Sequence, residues 1–441
     1  MPGGRHMRQA EPDRRDRALM LAATLARMGV GLLTFMVLAR ALGPAGFGGF
    51  AAAAAYATLV ALATDYGLAT SALRLAAADP ARSGEIVGDA LRTKAILVAL
   101  AFPAGAALTL WTVPAGDTGV YLLVFIGTLA YSFADLTLVA ARAHRRFATE
   151  AGLVVTTSIG ILAITATVAM VTHDTLATAA AFALTRLAYL VATRLRLRAL
   201  FHRDHRPGQH AIRATLRQAA PYAVDNILTV LTGQVDVLLL ALLLSAHDLG
   251  IYQAGGRLVQ VIVPFAVVLS SVHLPALSAN ALRGDDDAFR RQSRRITIEF
   301  AGFGLIGGIG FALLGPFVTR HLYGPAFDPL LPLWPGFAAY AMLRFAAAGF
   351  GIQLAALGRI GPRILVQIAT LLGYTIAIIL LVPGHGLGVT AWALAAIGGG
   401  TFIGLGAVLW RSGRADRAVA AVLLMVPPVA GGLAWGAWVG G

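Results

Sequence analysis

The sequence predicts an all-α polytopic membrane protein built from two six-helix bundles. Three observations carry that reading: an apolar composition, a dozen long apolar stretches, and an internal repeat with matched charge sidedness. Of the 441 residues, 58% are hydrophobic and 13% are charged, a charge density about half that of an average soluble domain. Stretches of roughly 20 apolar residues, enough helix to cross about 30 Å of hydrocarbon, recur along almost the whole chain. No segment of useful size is left for a soluble domain.

The stretches fall at 18–42, 46–75, 91–113, 118–142, 150–172 and 175–198, then at 214–243, 247–277, 296–319, 328–357, 362–383 and 388–410. They make twelve core transmembrane helices. A further apolar stretch at 418–438, interrupted by Pro427 and Pro428, is either a thirteenth span or an interfacial segment. Arg5, Arg8, Arg14, Arg15 and Arg17 precede the first span, as basic residues precede a secretory signal. The run from Ala18 to Leu42 exceeds the usual 7 to about 15 apolar residues of such signals, so it reads as a retained helix.

The net charge of +14 would suggest nucleic acid in a soluble protein, but here its placement carries the meaning. The N-terminal tail and the connections 74–94, 142–149, 194–217, 283–295, 359–363 and 411–417 hold 29 of the 35 Lys and Arg residues. The opposite connections hold little beyond Arg320. Because basic residues collect on the cytoplasmic side, both ends of the twelve-helix core are expected in the cytoplasm. Lys94 is the only lysine, and there is no cysteine, which excludes disulfides, thiolate metal sites and a Cys nucleophile. The histidines show no metal-ligand spacing, so no metal is expected.

The connection LRLRALFHRDHRPGQHAIRATLRQ, basic and carrying Pro207 and Gly208, suits a cytoplasmic linker. The expected organisation is a basic tail (1–17), an N-terminal bundle (18–198), a linker (199–213), a C-terminal bundle (214–410) and a C-terminal segment (411–441). GPAGFGGFAAAAAY from Gly43 aligns without gaps on SAHDLGIYQAGGRL from Ser245. Gly48 then meets Gly250, Phe50 meets Tyr252, and Ala52 meets Ala254. Two six-span halves starting on the same side of the membrane are parallel repeats, a common plan of alternating-access transporters.

LARALGPAGFGGFAAAAAY with ATDYGLATSALR, then SAHDLGIYQAGGRL, then HLYGPAFDPLLPLWP resemble, in that order, polysaccharide flippases. The similarity is to the polysaccharide-transporter branch of the multidrug/oligosaccharidyl-lipid/polysaccharide (MOP) exporter superfamily, and it covers roughly residues 15 to 410. It implies a MATE-like fold and the flipping of a lipid-linked (polyprenyl diphosphate) oligosaccharide across the bacterial inner membrane for lipopolysaccharide or exopolysaccharide synthesis. Membrane lipids, a polysaccharide polymerase and glycosyltransferases are the implied partners, with no nucleic acid. Family members have twelve or fourteen spans, so the stretch after Arg417 is a departure.

Each unpartnered sugar hydroxyl costs about 4–8 kcal/mol to bring into hydrocarbon, and a diphosphate adds charge. A carrier must therefore supply a hydrated groove and cations. Arg27, Arg40, Arg186, Arg257 and Arg344 fall within spans, Arg40 near the outer end. A guanidinium offers phosphate a planar fork of donors and keeps its charge. Arg27, Arg186, Arg257 and Arg344 are the candidates for a cationic cleft. The competing reading is ion pairing of these arginines with Asp65, Asp135, Asp225, Asp236 and Glu299.

Polar residues at helical spacing favour the cleft. Asp225, Thr229, Thr232 and Asp236 form one stripe, as do Thr128, Tyr131, Asp135 and Arg142, then Thr24, Arg27, Gly31 and Thr34, and then Gln367, Thr370 and Tyr374. Thr229, Thr232, Tyr131, Gln367 and Tyr374 are the expected polar lining. There is no GxxxxGK[ST] nucleotide loop and no cofactor is expected, which leaves H+ or Na+ coupling. Asp65, Asp135, Asp225 and Asp236 are its candidates. His273 is expected to make a helix-to-helix hydrogen bond. A multidrug extruder of the same superfamily is the main alternative, and a nonspecific lipid scramblase is another. A membrane glycan polymerase or glycosyltransferase fits less well, because the outward connections are only a few residues long.

Overall fold

A computed structural model describes residues 14–201 and 209–439, the side chains at 14–21, 209–211, 224, 225, 228, 229, 232, 263 and 429–439 excepted. The described residues form helices and turns with no strand. In chain order the α-helices are α1 (Arg14–Asp65), α2 (Leu68–Ala78), α3 (Ser83–Thr112), α4 (Ala115–Ala143), α5 (Phe147–Thr172), α6 (Thr175–Leu197) and α7 (Gln209–Leu243). They continue with α8 (Ala246–Val259), α9 (Ile262–Arg283), α10 (Asp286–Val318), α11 (Trp334–Ala356), α12 (Ile360–His385), α13 (Thr390–Trp410) and α14 (Arg417–Val439).

The all-helical membrane fold is as expected, but the described residues hold nine apolar stretches long enough to cross a bilayer rather than twelve. Several of these are longer than one crossing needs, at 44 residues for Ala22–Asp65 and 51 for Ile360–Trp410. The first of them is α1, which is broken where Gly43 takes φ 68° and ψ 175° ahead of Pro44. Glycine reaches that left-handed region without a Cβ penalty, and proline needs no intrahelical donor at a helix start. The expected helix at 46–75 is also split, because Tyr66 (φ 39°) and Gly67 (φ 66°) interrupt it. A Cβ at Gly67 would lie 2.6 Å from the Tyr222 and Ala223 backbone, so α7 leaves no room for a side chain there. Pro325, Pro329 and Pro332 tighten the start of the expected span at 328–357 into a 3₁₀ turn, and α11 begins only at Trp334. The stretch after Arg417 is helical across Pro427 and Pro428.

The chain sorts into two compact units. One contains the chain through Thr34, Tyr56–Thr172 and Leu176–Val230, and the other contains Phe35–Ala55, His173–Thr175 and the chain from Leu231 onward. In the first, Leu68 and Ala72 of α2, Val87 and Leu91 of α3, Leu136 and Val139 of α4, and Tyr189 and Leu197 of α6 share one buried cluster. Lipid tails are as apolar as leucine, so close packing and interhelical polar contacts hold such helices together rather than hydrophobic burial. Gly84 shows the packing at its tightest, since an added Cβ would strike the Leu200 carbonyl.

The second unit is organised around α11, which packs on α9, α10, α13 and α14. Its sequence alternates bulk with small residues, and Phe337, Phe345, Phe350 and Leu354 are all buried. Small residues let neighbours approach, as where a Cβ at Gly349 would lie 2.8 Å from Phe300. Buried Gln353 accepts a hydrogen bond from Ser293 Oγ and donates to Thr297 Oγ1 at 3.0 Å, which ties α11 to α10. Contacts of this kind stabilise membrane bundles by about 0.6 kcal/mol on average and up to about 1.7. Outward-facing apolar residues such as Trp111 at 84% exposure and Leu313 at 71% are left for lipid.

Candidate functional site

Each unit carries its own set of half-buried charges. In the first, α1 places Arg27 and α4 places Tyr131 so that Arg27 Nη1 donates to the Tyr131 hydroxyl at 3.4 Å. Arg186 of α6 lies with its Cζ 4.7 Å from the centroid of the same Tyr131 ring and 4.0 Å from that of Phe182. Phe182 precedes Arg186 by one helical turn. Tyr189 stands beside Tyr131 with ring centroids 5.9 Å apart. Two arginines and two tyrosines from three helices therefore converge.

Asp65, Asp135 and Glu150 of this unit are engaged elsewhere. Asp135 accepts from Arg142 Nη2 at 3.1 Å, and Arg142 Nε donates to Glu150 at 2.7 Å. Asp65 is paired with Lys94, which also contacts Ser132. Lys94 is only 2% exposed.

In the second unit, Arg257 of α8 lies over Phe35 at 4.5 Å, and its Nη1 reaches Gln260 Oε1 at 3.5 Å. Asp236 of α7 accepts from the Tyr252 hydroxyl at 3.1 Å, and that hydroxyl is 3.5 Å from the hydroxyl of Tyr374. One carboxylate oxygen of Asp236 is buried without a partner among the described residues. Arg344 of α11 is half-buried and hydrogen-bonded to Tyr340, one turn earlier. Gln367 is half-buried, and its carbonyl accepts from Thr370 Oγ1 at 3.1 Å. Thr401 Oγ1 donates to Thr370 Oγ1 at 3.3 Å.

The side chains of Asp225, Thr229 and Thr232 lie outside the described residues. Arg40 is exposed and donates to the carbonyls of His321 and Leu322, both at 3.0 Å, so it ties α1 to the segment that follows α10. His273 of α9 meets Glu299 of α10 at 2.7 Å, the helix-to-helix hydrogen bond its isolation suggested. Glu299 also accepts from Arg295 at 2.6 Å.

Among the described residues, then, Arg27, Arg186, Arg257 and Arg344 form no salt bridge, and Asp65, Asp135 and Glu299 take other cations. Nor do the described residues hold any group of three or more His, Asp or Glu side chains fit for a metal ion. Sequence reasoning missed Phe35, Phe182, Glu150 and Lys94 as partners. The i, i+4 spacing of Phe182 and Arg186 was available as a signal. The Arg142–Glu150 and Lys94–Asp65 pairs cross between elements and had none.

The family description "polysaccharide biosynthesis protein" matches residues 14–281, more than half of the chain. No curated protein matches. The solved structures similar to this chain include lipid II flippase MurJ in an inward closed conformation, with a TM-score of 0.67 at 11% identity, covering 94% of this chain and 91% of that one. They also include an inward-facing multidrug resistance MATE family transporter of the MOP superfamily, with a TM-score of 0.63 at 12% identity, covering 94% and 98%. A MOP superfamily transporter from Pyrococcus furiosus gives 0.56 at 13% identity, covering 95% of both chains. With this fold, and with the family's description matching more than half of the chain, including Arg27, Tyr131, Arg186 and Arg257, the chain belongs to the polysaccharide biosynthesis protein family and is a multispan membrane protein with the fold of MOP-superfamily transporters and flippases.

Proposed function

We propose that this protein flips a lipid-linked oligosaccharide, carried on a polyprenyl diphosphate, from the cytoplasmic to the outer leaflet of a bacterial inner membrane, as a transporter and not as an enzyme. The observation that carries the reading is that Arg27 and Arg186 stand half-buried without a carboxylate partner among the described residues, while Arg257 makes no close ion pair and is acted on by Asp236 only from a distance. An arginine within a membrane helix costs at least roughly 2.5–3.5 kcal/mol on insertion scales. Pairing with a carboxylate would lower that cost, and its absence leaves positive charge for an anion. The family description and the name of the lipid II flippase among the similar folds point the same way. Glycosyltransferases and a polymerase would supply and consume the substrate, for lipopolysaccharide or exopolysaccharide.

Transport by alternating access is coupled to H+ or Na+, with Asp65, Asp135, Asp225 and Asp236 as the carboxylates that could carry the ion. The N-terminus lies in the cytoplasm. Arg27→Ala or Arg257→Ala should abolish glycan export while the protein still folds and inserts, and normal surface glycan in both variants would overturn the reading. Flipping in proteoliposomes that ignores ion gradients and membrane potential would remove the coupling. A multidrug extruder is the second reading, favoured by the MATE likeness and by the unpartnered carboxylate oxygen of Asp236, which could receive a cation. Export of amphipathic cations that is lost in Asp236→Asn, with glycan export unaffected by the arginine variants, would establish it instead.

A further inference from the structure

Arg186 and Arg257 share a feature that charge alone does not explain. Each guanidinium lies over aromatic rings, Arg186 over Phe182 and Tyr131 and Arg257 over Phe35. In each, the Nε atom is buried without a hydrogen-bond partner among the described residues. A buried N–H left unmade is costly, and native proteins leave few of them. Two such atoms of the same kind, on two arginines that both lie over rings, leave the aromatic contact as what holds each guanidinium.

The rings are themselves fixed. Phe182 lies against Gly127 of α4, where an added Cβ would come 3.1 Å from Ala183 Cα and 3.2 Å from the ring, so a side chain there would press on the ring and its helix. Gly127 stands one turn before Tyr131, and Phe182 one turn before Arg186, so the two helices interleave ring, guanidinium and ring. Phe35 is braced edge-on by Phe47, with centroids 6.1 Å apart, across the break in α1 at Gly43. Phe47 is fully buried. A ring face attracts the cation without neutralising it and occupies none of its N–H groups. A carboxylate would do both, and would compete with an anionic ligand.

We propose that Phe182 and Phe35 are positioning residues, each within its own unit, that hold Arg186 and Arg257 over a ring, so that the terminal N–H groups of each guanidinium are presented to phosphoryl oxygens of a diphosphate. This rests on the flippase reading and names the side chains that make its arginines available. A phosphodiester headgroup of an ordinary phospholipid offers similar oxygens, so the test separates the two sources.

The experiment uses the full chain in lipid nanodiscs with arginine-labelled nitrogen, and the Nε–H signals are assigned with Arg186→Lys and Arg257→Lys. Inorganic pyrophosphate should shift both signals saturably, and dimethyl phosphate should shift them far more weakly. Phe182→Leu and Phe35→Leu should each weaken pyrophosphate binding by about 2- to 30-fold, the span of cation–π attraction from exposed to desolvated sites. Phe182→Tyr and Phe35→Tyr should keep binding near that of the unmutated protein, which a purely steric role for the rings would not require. If Phe182→Leu fails to insert, Gly127→Ala displaces the same ring and should weaken binding in the same range. Pyrophosphate binding unchanged in the leucine and Gly127→Ala variants would overturn the positioning role while leaving the flippase reading intact. Equal responses to the two phosphates would overturn the diphosphate assignment. No response of the unmutated protein to pyrophosphate would overturn the flippase reading along with the proposal.

Discussion

Lys94, the single lysine of the chain, is buried against Asp65 and Ser132, with its ammonium 5.4 Å from the centroid of the Phe133 ring. A buried charge pair contributes little net stability, but removing one member leaves an uncompensated charge and typically costs about 3–5 kcal/mol. Asp65→Asn should therefore lower thermal stability by about that amount, because it strands a cation that is only 2% exposed. The double variant Asp65→Leu with Lys94→Met should recover most of the loss. Thermal unfolding in nanodiscs checks both. If the double variant still flips its substrate with unchanged dependence on the ion gradient, Asp65 leaves the set of coupling candidates.

The repeat seen in the sequence becomes a physical contact between elements. A Cβ added at Gly48 would strike the carbonyl of Ala246, and one added at Gly250 would strike the carbonyl of Pro44. The repeat register equates Pro44 with Ala246 and Gly48 with Gly250, so the two segments cross through equivalent atoms, each glycine against the start of the other helix. Such a crossing admits only hydrogen at both positions. Gly48→Ala and Gly250→Ala should each destabilise by about 1–3 kcal/mol, the usual cost of overpacking. Because either methyl spreads the same crossing, the double variant should cost less than the sum. Gly49→Ala, where an added Cβ meets nothing within 4 Å, is the control. Thermal unfolding of the four proteins decides the matter, and strict additivity would mean that the two glycines act separately.

For the whole molecule, the testable quantity is the orientation of the connections. The chain has no cysteine, so single cysteines introduced one at a time report without background. A cysteine at Arg145, in the turn between α4 and α5, should be shielded in intact cells from an impermeant maleimide. One at Gly116, near the start of α4, should react, and so should one at His173, between α5 and α6. The reverse pattern would place the N-terminus outside and remove the cytoplasmic assignment.

Helix existence was open to reading from the chain, because it is a local, periodic property. The ends of α4, α5, α6, α12 and α13 lie within a few residues of the apolar windows for that reason. The break at Tyr66 was not readable, since it depends on how closely α7 approaches, whereas the nine-residue 3₁₀ segment after Gly324 follows from three prolines that the sequence displays. Among the candidate residues, the sequence by itself determined which arginines sit in membrane helices and that the cost of placing them there demands a reason. Only the tertiary structure decided what they touch. Asp65, Asp135 and Glu299 proved to be committed to Lys94, Arg142 and Arg295, while Arg186 and Arg257 proved to rest on aromatic rings. Pairing of charges is settled by distances between elements, and those distances follow from which glycines let which helices close on one another.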